Sequence, residues 1–366
     1  VSALAASRVA VVAAGGTGGH LFPAQALAEA LIVRGWRIVL ASDDRVAQHA
    51  AHFPAEEHVA LSAATYRPGD PVGMARAGLA ILKGTLQARA AFARINPAIV
   101  VGFGGYPSAP SLLAAISARR RTMIHEQNAV MGRSNRLLAP HVTAVACAFP
   151  TLMKAPAQVA ARAQVVGNPI RPDIRALAEI DYVPPAETIN LLVTGGSQGA
   201  RILSEQVPRA IALLPTDLRR RLSVSQQARS ESLAFARDAY AAAGVQAEVA
   251  PFFNDMARRL SQAHLVIGRS GAGTVCEFAV AGRPAILIPL QIALDDDQGQ
   301  NARLLAEAGG AVVIREPALT AEGLAETLAG LLADPLKLVA MASAARSVAQ
   351  PDAAERLADV VEATAA

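Results

Sequence analysis

Three glycine-rich segments, each placed just after a short apolar run, constrain this chain more than any other feature. They read Gly15-Gly16-Thr17-Gly18-Gly19-His20, Gly102-Phe103-Gly104-Gly105-Tyr106 and Gly195-Gly196-Ser197-Gln198-Gly199-Ala200. Glycine at a strand-to-helix turn lets the backbone approach a ligand closely, and the helix start aims unpaired N–H groups at negative charge. The first and third segments open the two halves of the chain. This predicts an α/β protein of two nucleotide-binding-type domains facing one another across a cleft, with a phosphate-bearing ligand.

The bulk properties agree with that reading. At 366 residues, two domains are the default. Hydrophobic residues make up 52% and charged ones 17%, as in a well-packed globular protein. Aromatics are only 4%, so Ala, Leu, Val and Ile must build the core. Cys147 and Cys276 match no metal or redox spacing and are expected to be reduced, buried thiols of a cytoplasmic protein. The residues up to Ala14 carry one charge and run straight into a strand, so no secretory leader is expected there. No apolar run is long and unbroken enough to suggest a membrane span.

Apolar runs predict strands at Arg8–Ala14, Trp36–Ala41, Ile99–Val101, Thr122–Ile124 and Ala144–Ala146, with helices at Phe22–Arg34 and Ser108–Ala118. Strands alternating with helices mean a parallel sheet covered on both faces. Gly167, Pro169 and Pro172 then break the rhythm and mark an interdomain boundary. The second half restarts with a strand at Thr188–Thr194 and a helix from Ala200. Further strands are expected at Arg221–Ser225, Ala247–Val249, Leu265–Gly268, Ala285–Pro289 and Ala311–Ile314. The expected domains are thus 1–167 and 168–349. Two helices end the chain, separated near Pro351, and the last, about 350–366, is expected to pack back on the first domain.

Charge is distributed unevenly. The net charge is +4, made of +9 up to Asn168 and −5 beyond it. A basic half attracts something anionic: nucleic acid, an acidic membrane surface or a polyphosphate ligand. Met74–Arg94 reads as an amphipathic helix with Arg76, Lys83, Arg89 and Arg94 and no acidic residue. Such a helix can lie on an anionic membrane or simply pack on the sheet. Nucleic acid is disfavoured, because the basic half lacks interleaved aromatics and any recognition motif.

Four segments can carry chemistry. The first loop lacks dinucleotide spacing and a P-loop lysine; its His20 can accept a proton near neutrality or merely cap the helix. His125-Glu126-Gln127-Asn128 follows a strand and lies at its carboxyl end, where open α/β sheets bind ligands, or simply solvates a loop. Arg269-Ser270-Gly271-Ala272-Gly273-Thr274 suits a diphosphate, and Glu277, a turn beyond Thr274, can accept both hydroxyls of a ribose. Asp295-Asp296-Asp297-Gln298 invites a metal, but nothing is spaced to complete such a site; Gln298 and Asn301 can instead hydrogen-bond sugar hydroxyls.

Taken in order, these pieces resemble the MurG family, the undecaprenyldiphospho-muramoylpentapeptide N-acetylglucosaminyltransferases of bacterial cell-wall synthesis. The matching residues run from Gly15-Gly16-Thr17-Gly18-Gly19-His20 through Gly104-Gly105-Tyr106, His125–Asn128, Val166–Arg171, Gly195–Arg201 and Arg269–Thr274 with Glu277 to Asp295–Asn301. The resemblance implies a GT-B fold of two Rossmann-like domains. It implies transfer of N-acetylglucosamine from UDP-N-acetylglucosamine to the muramoyl 4-hydroxyl of lipid I, giving lipid II with inversion and with no cofactor or essential metal. The second domain would hold the sugar nucleotide: Glu277 the ribose, the backbone at Phe253 the uracil with Met256 nearby, and Ser197, Arg269 and Thr274 the diphosphate. Gln298, Asn128 and the backbone near Ala272 and Gly273 would hold the sugar, with Arg171 bordering the donor. Thr17, Gly18, Gly19, His20, Tyr106 and Glu126 would lie on the acceptor side. His20 is expected to be the base, with Glu126 behind it.

A lipid-linked acceptor further implies that the first domain rests on the inner face of the bacterial inner membrane as a peripheral protein, beside other cell-wall synthesis proteins. Two positions depart from the family pattern: Asp297 stands where many relatives have His or Gln, and Ser204 where an Asn is frequent. Another GT-B glycosyltransferase, a UDP-N-acetylglucosamine epimerase and a non-catalytic sugar-nucleotide sensor remain as rival readings.

Overall fold

The structure is a computed structural model that describes residues 8–15, 18–43, 53–64, 69–196, 199–291 and 295–366. The chain divides into two compact units. The first comprises Val1–Arg171 with Asp352–Ala366, and the second Pro172–Pro351. The first crossing falls after Arg171, beyond the boundary expected at Gly167. Ile170 is buried, and the Arg171 guanidinium lies 5.3 Å from the centre of the Phe22 ring, so this segment belongs to the first unit.

In the first unit the strands are β1 (Val9–Ala13), β2 (Arg37–Ser42), β3 (Glu57–Ala60), β4 (Ile99–Gly102), β5 (Thr122–Glu126), β6 (Ala144–Cys147) and β7 (Gln164–Val165). They form one sheet in the order β3-β2-β1-β4-β5-β6-β7, and all their pairings are parallel. Its helices are α1 (Gly18–Val33), α2 (Pro71–Ile95), α3 (Ala109–Ser117), α4 (Arg133–Leu138) and α5 (Ala157–Ala160). Strand β1 shows why the sheet is covered twice. Ala10 and Val12 pack with Leu27 and Leu31 of α1, whereas Val9, Val11 and Ala13 join a cluster with Ala88, Phe92 and Leu112. Alternate residues of a strand point to opposite faces, so an unbroken apolar run needs two apolar layers.

The second unit repeats the plan. Strands β8 (Ile189–Thr194), β9 (Leu222–Gln227), β10 (Gln246–Ala250), β11 (Leu265–Gly268), β12 (Ala285–Leu287) and β13 (Ala311–Val313) form a parallel sheet in the order β10-β9-β8-β11-β12-β13. Its helices are α6 (Pro172–Arg175), α7 (Arg201–Ala212), α8 (Thr216–Arg221), α9 (Leu233–Ala242), α10 (Met256–Gln262), α11 (Ala272–Ala281), α12 (Asp297–Ala308), α13 (Ala321–Leu332) and α14 (Pro335–Ser347). The last helix, α15 (Ala353–Ala365), returns to the first unit, where Leu357, Ala358 and Val361 join the core of α1.

The strand order reverses between β1 and β4 in one sheet and between β8 and β11 in the other. Chains leaving two such strands part to opposite sides and open a crevice at their carboxyl ends. All three glycine-rich segments lie at these two reversals.

Two differences from the sequence reading matter here. Helix α1 begins at Gly18, four residues earlier than expected, so His20 sits in its first turn. Strand β5 runs on to Glu126, so His125 and Glu126 are buried strand residues and not loop residues.

Helix α2 packs by an unusual face. Its buried positions are the small Ala77, Gly84 and Ala88, with Phe92, while Met74, Leu79, Leu82 and Leu86 are each at least half exposed. A Cβ on Gly84 would come 2.1 Å from the Ser62 carbonyl oxygen, so only glycine permits that approach. Asp70 caps the helix start, and Asn96, in the left-handed conformation with φ 49°, ends it.

Candidate active site

The first unit gathers its polar residues at the β1/β4 reversal. Gly15 follows β1, and a Cβ there would meet Pro107 at 2.7 Å. Gly104 and Gly105 have φ of 83° and 72°, a conformation suited to glycine, and carry the chain from β4 into the short turn that starts at half-buried Tyr106. His20 is half-buried, with its Nε2 edge over Gly105, where a Cβ would lie 3.5 Å away. Gly18 and Gly19 form the start of α1 beside it. Thr17 lies outside the described residues.

The residue behind His20 is Gln127 and not Glu126. His20 Nδ1 and Gln127 Oε1 are 2.8 Å apart. Glu126 is turned into its own loop: Oε1 accepts from the Asn128 backbone N–H at 3.0 Å, and Oε2 from the Gly132 N–H at 3.0 Å and Asn135 Nδ2 at 2.8 Å. A buried carboxylate with several donors is a brace for the chain between residues 126 and 135. His125 is fully buried and its Nε2 bonds to the Gly167 carbonyl at 2.9 Å; burial pushes its pKa down to about 4.

In the second unit, Gly195 closes tightly on its own loop, since a Cβ there would meet the Ala200 nitrogen at 2.3 Å. Ser197 lies outside the described residues. Ser204 donates to the Ala200 carbonyl and accepts from the Arg229 N–H, so this departure from the family pattern closes the first turn of α7 internally. The sequence reading missed Gln227. Its Nε2 donates to the carbonyls of Gly196 and Pro251, and its Oε1 accepts from Thr194. One buried amide thereby ties the glycine loop to the segment holding Phe253, and no local motif signals it.

Across the β8/β11 reversal, Gly271 starts α11 in an extended conformation without a side-chain cap bond. The first N–H groups of a helix lack partners within it, so those of Ala272, Gly273 and Thr274 are donors of the kind that suit an anion. Half-buried Glu277 stands one turn along. Phe253 is buried, and Met256 opens α10 just after it.

Several expected ligand groups are engaged within the protein. Arg269 is buried, and its Nη1 donates to Glu316 at 2.7 Å and to the Ile288 carbonyl at 3.0 Å, which braces the end of β12. The Ser270 hydroxyl donates to the Gln298 carbonyl, and buried Asn301 donates to the Ser270 carbonyl. Gln298 Oε1 accepts from the Leu290 N–H at 3.0 Å. Arg171 packs on Phe22 within the first unit. Asp296, at φ 54°, pairs with Arg315, and Asp297 accepts from the Gln298 N–H. Among the described residues, no three His, Cys, Asp or Glu side chains are grouped to hold a metal ion.

Two Rossmann-like units, each with glycine-rich loops at a sheet reversal, give this protein the GT-B architecture. Residues 10–147 match the glycosyltransferase family 28 N-terminal domain, and residues 190–357 match the family 28 C-terminal domain. The chain is 71% identical over 360 residues to the UDP-N-acetylglucosamine–N-acetylmuramyl-(pentapeptide) pyrophosphoryl-undecaprenol N-acetylglucosamine transferase of Phenylobacterium zucineum, covering 98% of this chain and 99% of that one. It is 62% identical to the Caulobacter vibrioides transferase of the same name, over 98% and 99% of the two chains. The crystal structure of Acinetobacter baumannii MurG superposes with a TM-score of 0.79 at 31% identity, over 97% of this chain and 99% of that one. The chain belongs to this MurG family of N-acetylglucosamine transferases.

Proposed function

We propose that this protein transfers N-acetylglucosamine from UDP-N-acetylglucosamine to the 4-hydroxyl of the muramoyl sugar of lipid I, forming lipid II with inversion. The observation that carries this reading is the 71% identity, over nearly the whole of both chains, to a transferase of that name. The second unit holds the donor, with Glu277 on the ribose, the backbone at Phe253 on the uracil, and Gln298 on the sugar. In the first unit, His20 takes the proton of the attacking hydroxyl. The hydroxyl oxygen bonds to the anomeric carbon as the bond from that carbon to the diphosphate breaks, and UDP leaves.

Charge developing on the departing diphosphate needs donors that are already in place. The uncapped start of α11, with Thr274, supplies them. Arg269 contributes by holding the end of β12 against Glu316. Glu126 acts through the loop that it braces and not as a base.

The acceptor is lipid-linked, so the first unit must work at a membrane surface. No single helix among the described residues is long and apolar enough to cross one. The outward leucines of α2, interleaved with exposed Arg76 and Lys83, support peripheral binding to an anionic surface.

The test is UDP release from UDP-N-acetylglucosamine by purified protein in EDTA, with and without a lipid I analogue. Release only with the analogue, together with a lipid II-type product, is the expected result. Tight donor binding without release would overturn the reading in favour of a sugar-nucleotide sensor.

A further inference from the structure

A neutral imidazole carries one hydrogen, on either of its two nitrogens, and only the other nitrogen can accept a proton. Which nitrogen is bare in His20 therefore decides whether it can act as a base toward a substrate at all. The contacts of one neighbouring amide settle the choice.

Gln127 is buried, at 4% exposure, and its amide touches two groups. On one side its nitrogen lies 3.2 Å from the Phe103 carbonyl oxygen, and on the other its oxygen lies 2.8 Å from His20 Nδ1. A carbonyl oxygen accepts and never donates, so the NH2 end must face Phe103. Turning the amide over would set two oxygens against each other in a buried place, which costs free energy. Phe103 is itself fixed, since its N–H donates to the Ala13 carbonyl at 2.9 Å and its side chain is buried. With Gln127 Oε1 facing the ring, Nδ1 must supply the hydrogen. The lone pair is left on Nε2, at the edge of the ring that lies over Gly105.

We infer that Gln127 is a positioning residue that holds His20 in the tautomer with its hydrogen on Nδ1, leaving Nε2 as the proton-accepting atom. The inference rests on the reading of His20 as the base. It extends that reading by naming the accepting atom and the group that selects it. The chain of contacts runs from the Phe103 carbonyl through Gln127 to His20, joining the ends of β4 and β5 to the first turn of α1. When Nε2 takes the substrate proton, Nδ1–H keeps its bond to a neutral amide oxygen. The positive imidazolium is then met by a fixed dipole and not by a carboxylate.

The experiment uses the full chain with 15N-labelled histidine, in mildly alkaline buffer, with the His20 signals identified by their loss in His20→Ala. A long-range proton–nitrogen spectrum should show hydrogen on Nδ1 and a bare Nε2. Gln127→Met keeps the length but removes the acceptor. It should mix the tautomers and lower kcat roughly 10- to 100-fold, with KM for UDP-N-acetylglucosamine within about twofold; tautomer errors in acyl-transfer enzymes reach about 10⁴-fold. Gln127→Glu keeps an acceptor facing the ring and should recover the Nδ1–H signal, at a cost in stability because its second oxygen faces the Phe103 carbonyl. A hydrogen on Nε2 in the wild-type protein, or a Met variant with unchanged tautomer and kcat, would overturn the inference. The spectrum is read without turnover. An Nδ1–H signal in a protein that makes no lipid II-type product would therefore uphold Gln127's hold on the ring and count against the transferase reading alone.

Discussion

The guanidinium of Arg259 lies over Phe253, with its central carbon 3.8 Å from the ring centre. Its nitrogens reach Asp255 at 2.7 Å, Glu248 at 2.8 Å and Ser225 at 2.7 Å, so one side chain joins β9, β10 and the start of α10. The hydrogen bond from Arg259 is the main cause that draws the Asp255 carboxyl down to about 2. Phe253 is the residue whose backbone we assign to the uracil. Lysine can pair with the same acids but has no planar face to stack. A cation–aromatic stack contributes roughly 0.5–2 kcal/mol. Arg259→Lys should therefore weaken UDP binding about tenfold in calorimetry and leave kcat within about twofold. Unchanged affinity would remove Arg259 from donor recognition.

His125 makes the stability of the first unit depend on pH. Its folded pKa is about 4, against 6.5 for an unperturbed histidine, because burial disfavours the charged ring. Between those values the unfolded chain binds a proton that the folded one refuses, so stability falls as pH drops through that window. Going from about pH 7 to about pH 4.5 should cost on the order of 2–3 kcal/mol from this group. His125→Asn can still donate to the Gly167 carbonyl but does not titrate. Urea unfolding followed by fluorescence of Trp36 should show a flatter pH dependence in that variant.

The exposed face of α2 offers a separable test of membrane binding. Leu79→Glu with Leu82→Glu places two charges where we assign the apolar contact, and should abolish cosedimentation with vesicles containing anionic lipid. Arg76→Gln and Lys83→Gln should each weaken it about fivefold, from about 1 kcal/mol per basic residue near such a surface. Turnover of a water-soluble acceptor analogue should stay within about twofold. Equal loss of both activities would mean that α2 serves the fold and not the membrane.

Helix α15 carries its own reporter. Trp36, the chain's single tryptophan, donates from its indole N–H to Glu362 at 3.1 Å, and Arg34 pairs with Glu362 and Asp359. Leu357 is fully buried in the core shared with α1. Leu357→Ala should cost about 2–5 kcal/mol and lower the midpoint of the tryptophan-detected transition. Protection of the second unit by UDP should persist.

Strands built of unbroken Val, Ile and Leu were legible in the sequence because their burial on both faces leaves nothing polar to read. Strand β3 was not, since Glu57 and His58 share it with Val59 and Ala60 on the edge of the sheet. The glycine loops were legible as ligand sites, because positive φ and close backbone approach leave few other residues possible. The partners of polar side chains were not. Arg269 has the character of a phosphate ligand, yet its acid is Glu316, 47 residues on. His20 and Gln127 are 107 residues apart, and only the neighbouring places of β1, β4 and β5 in the sheet bring them together. Residue type states what a group can do, and topology decides whether a neighbour has already claimed it.

The return of α15 to the first unit also sets an order of events on the ribosome. Multidomain chains commonly finish their N-terminal domain first during synthesis. Here the first unit's core is incomplete at that stage, because the layer that covers Leu27 and Leu31 includes Leu357 and Val361, which are translated after every residue of the second unit. The second unit can complete its core while the first still waits with a bare apolar strip. The newborn chain must carry that unfinished face, open to chaperones or to misassembly, until its last helix emerges.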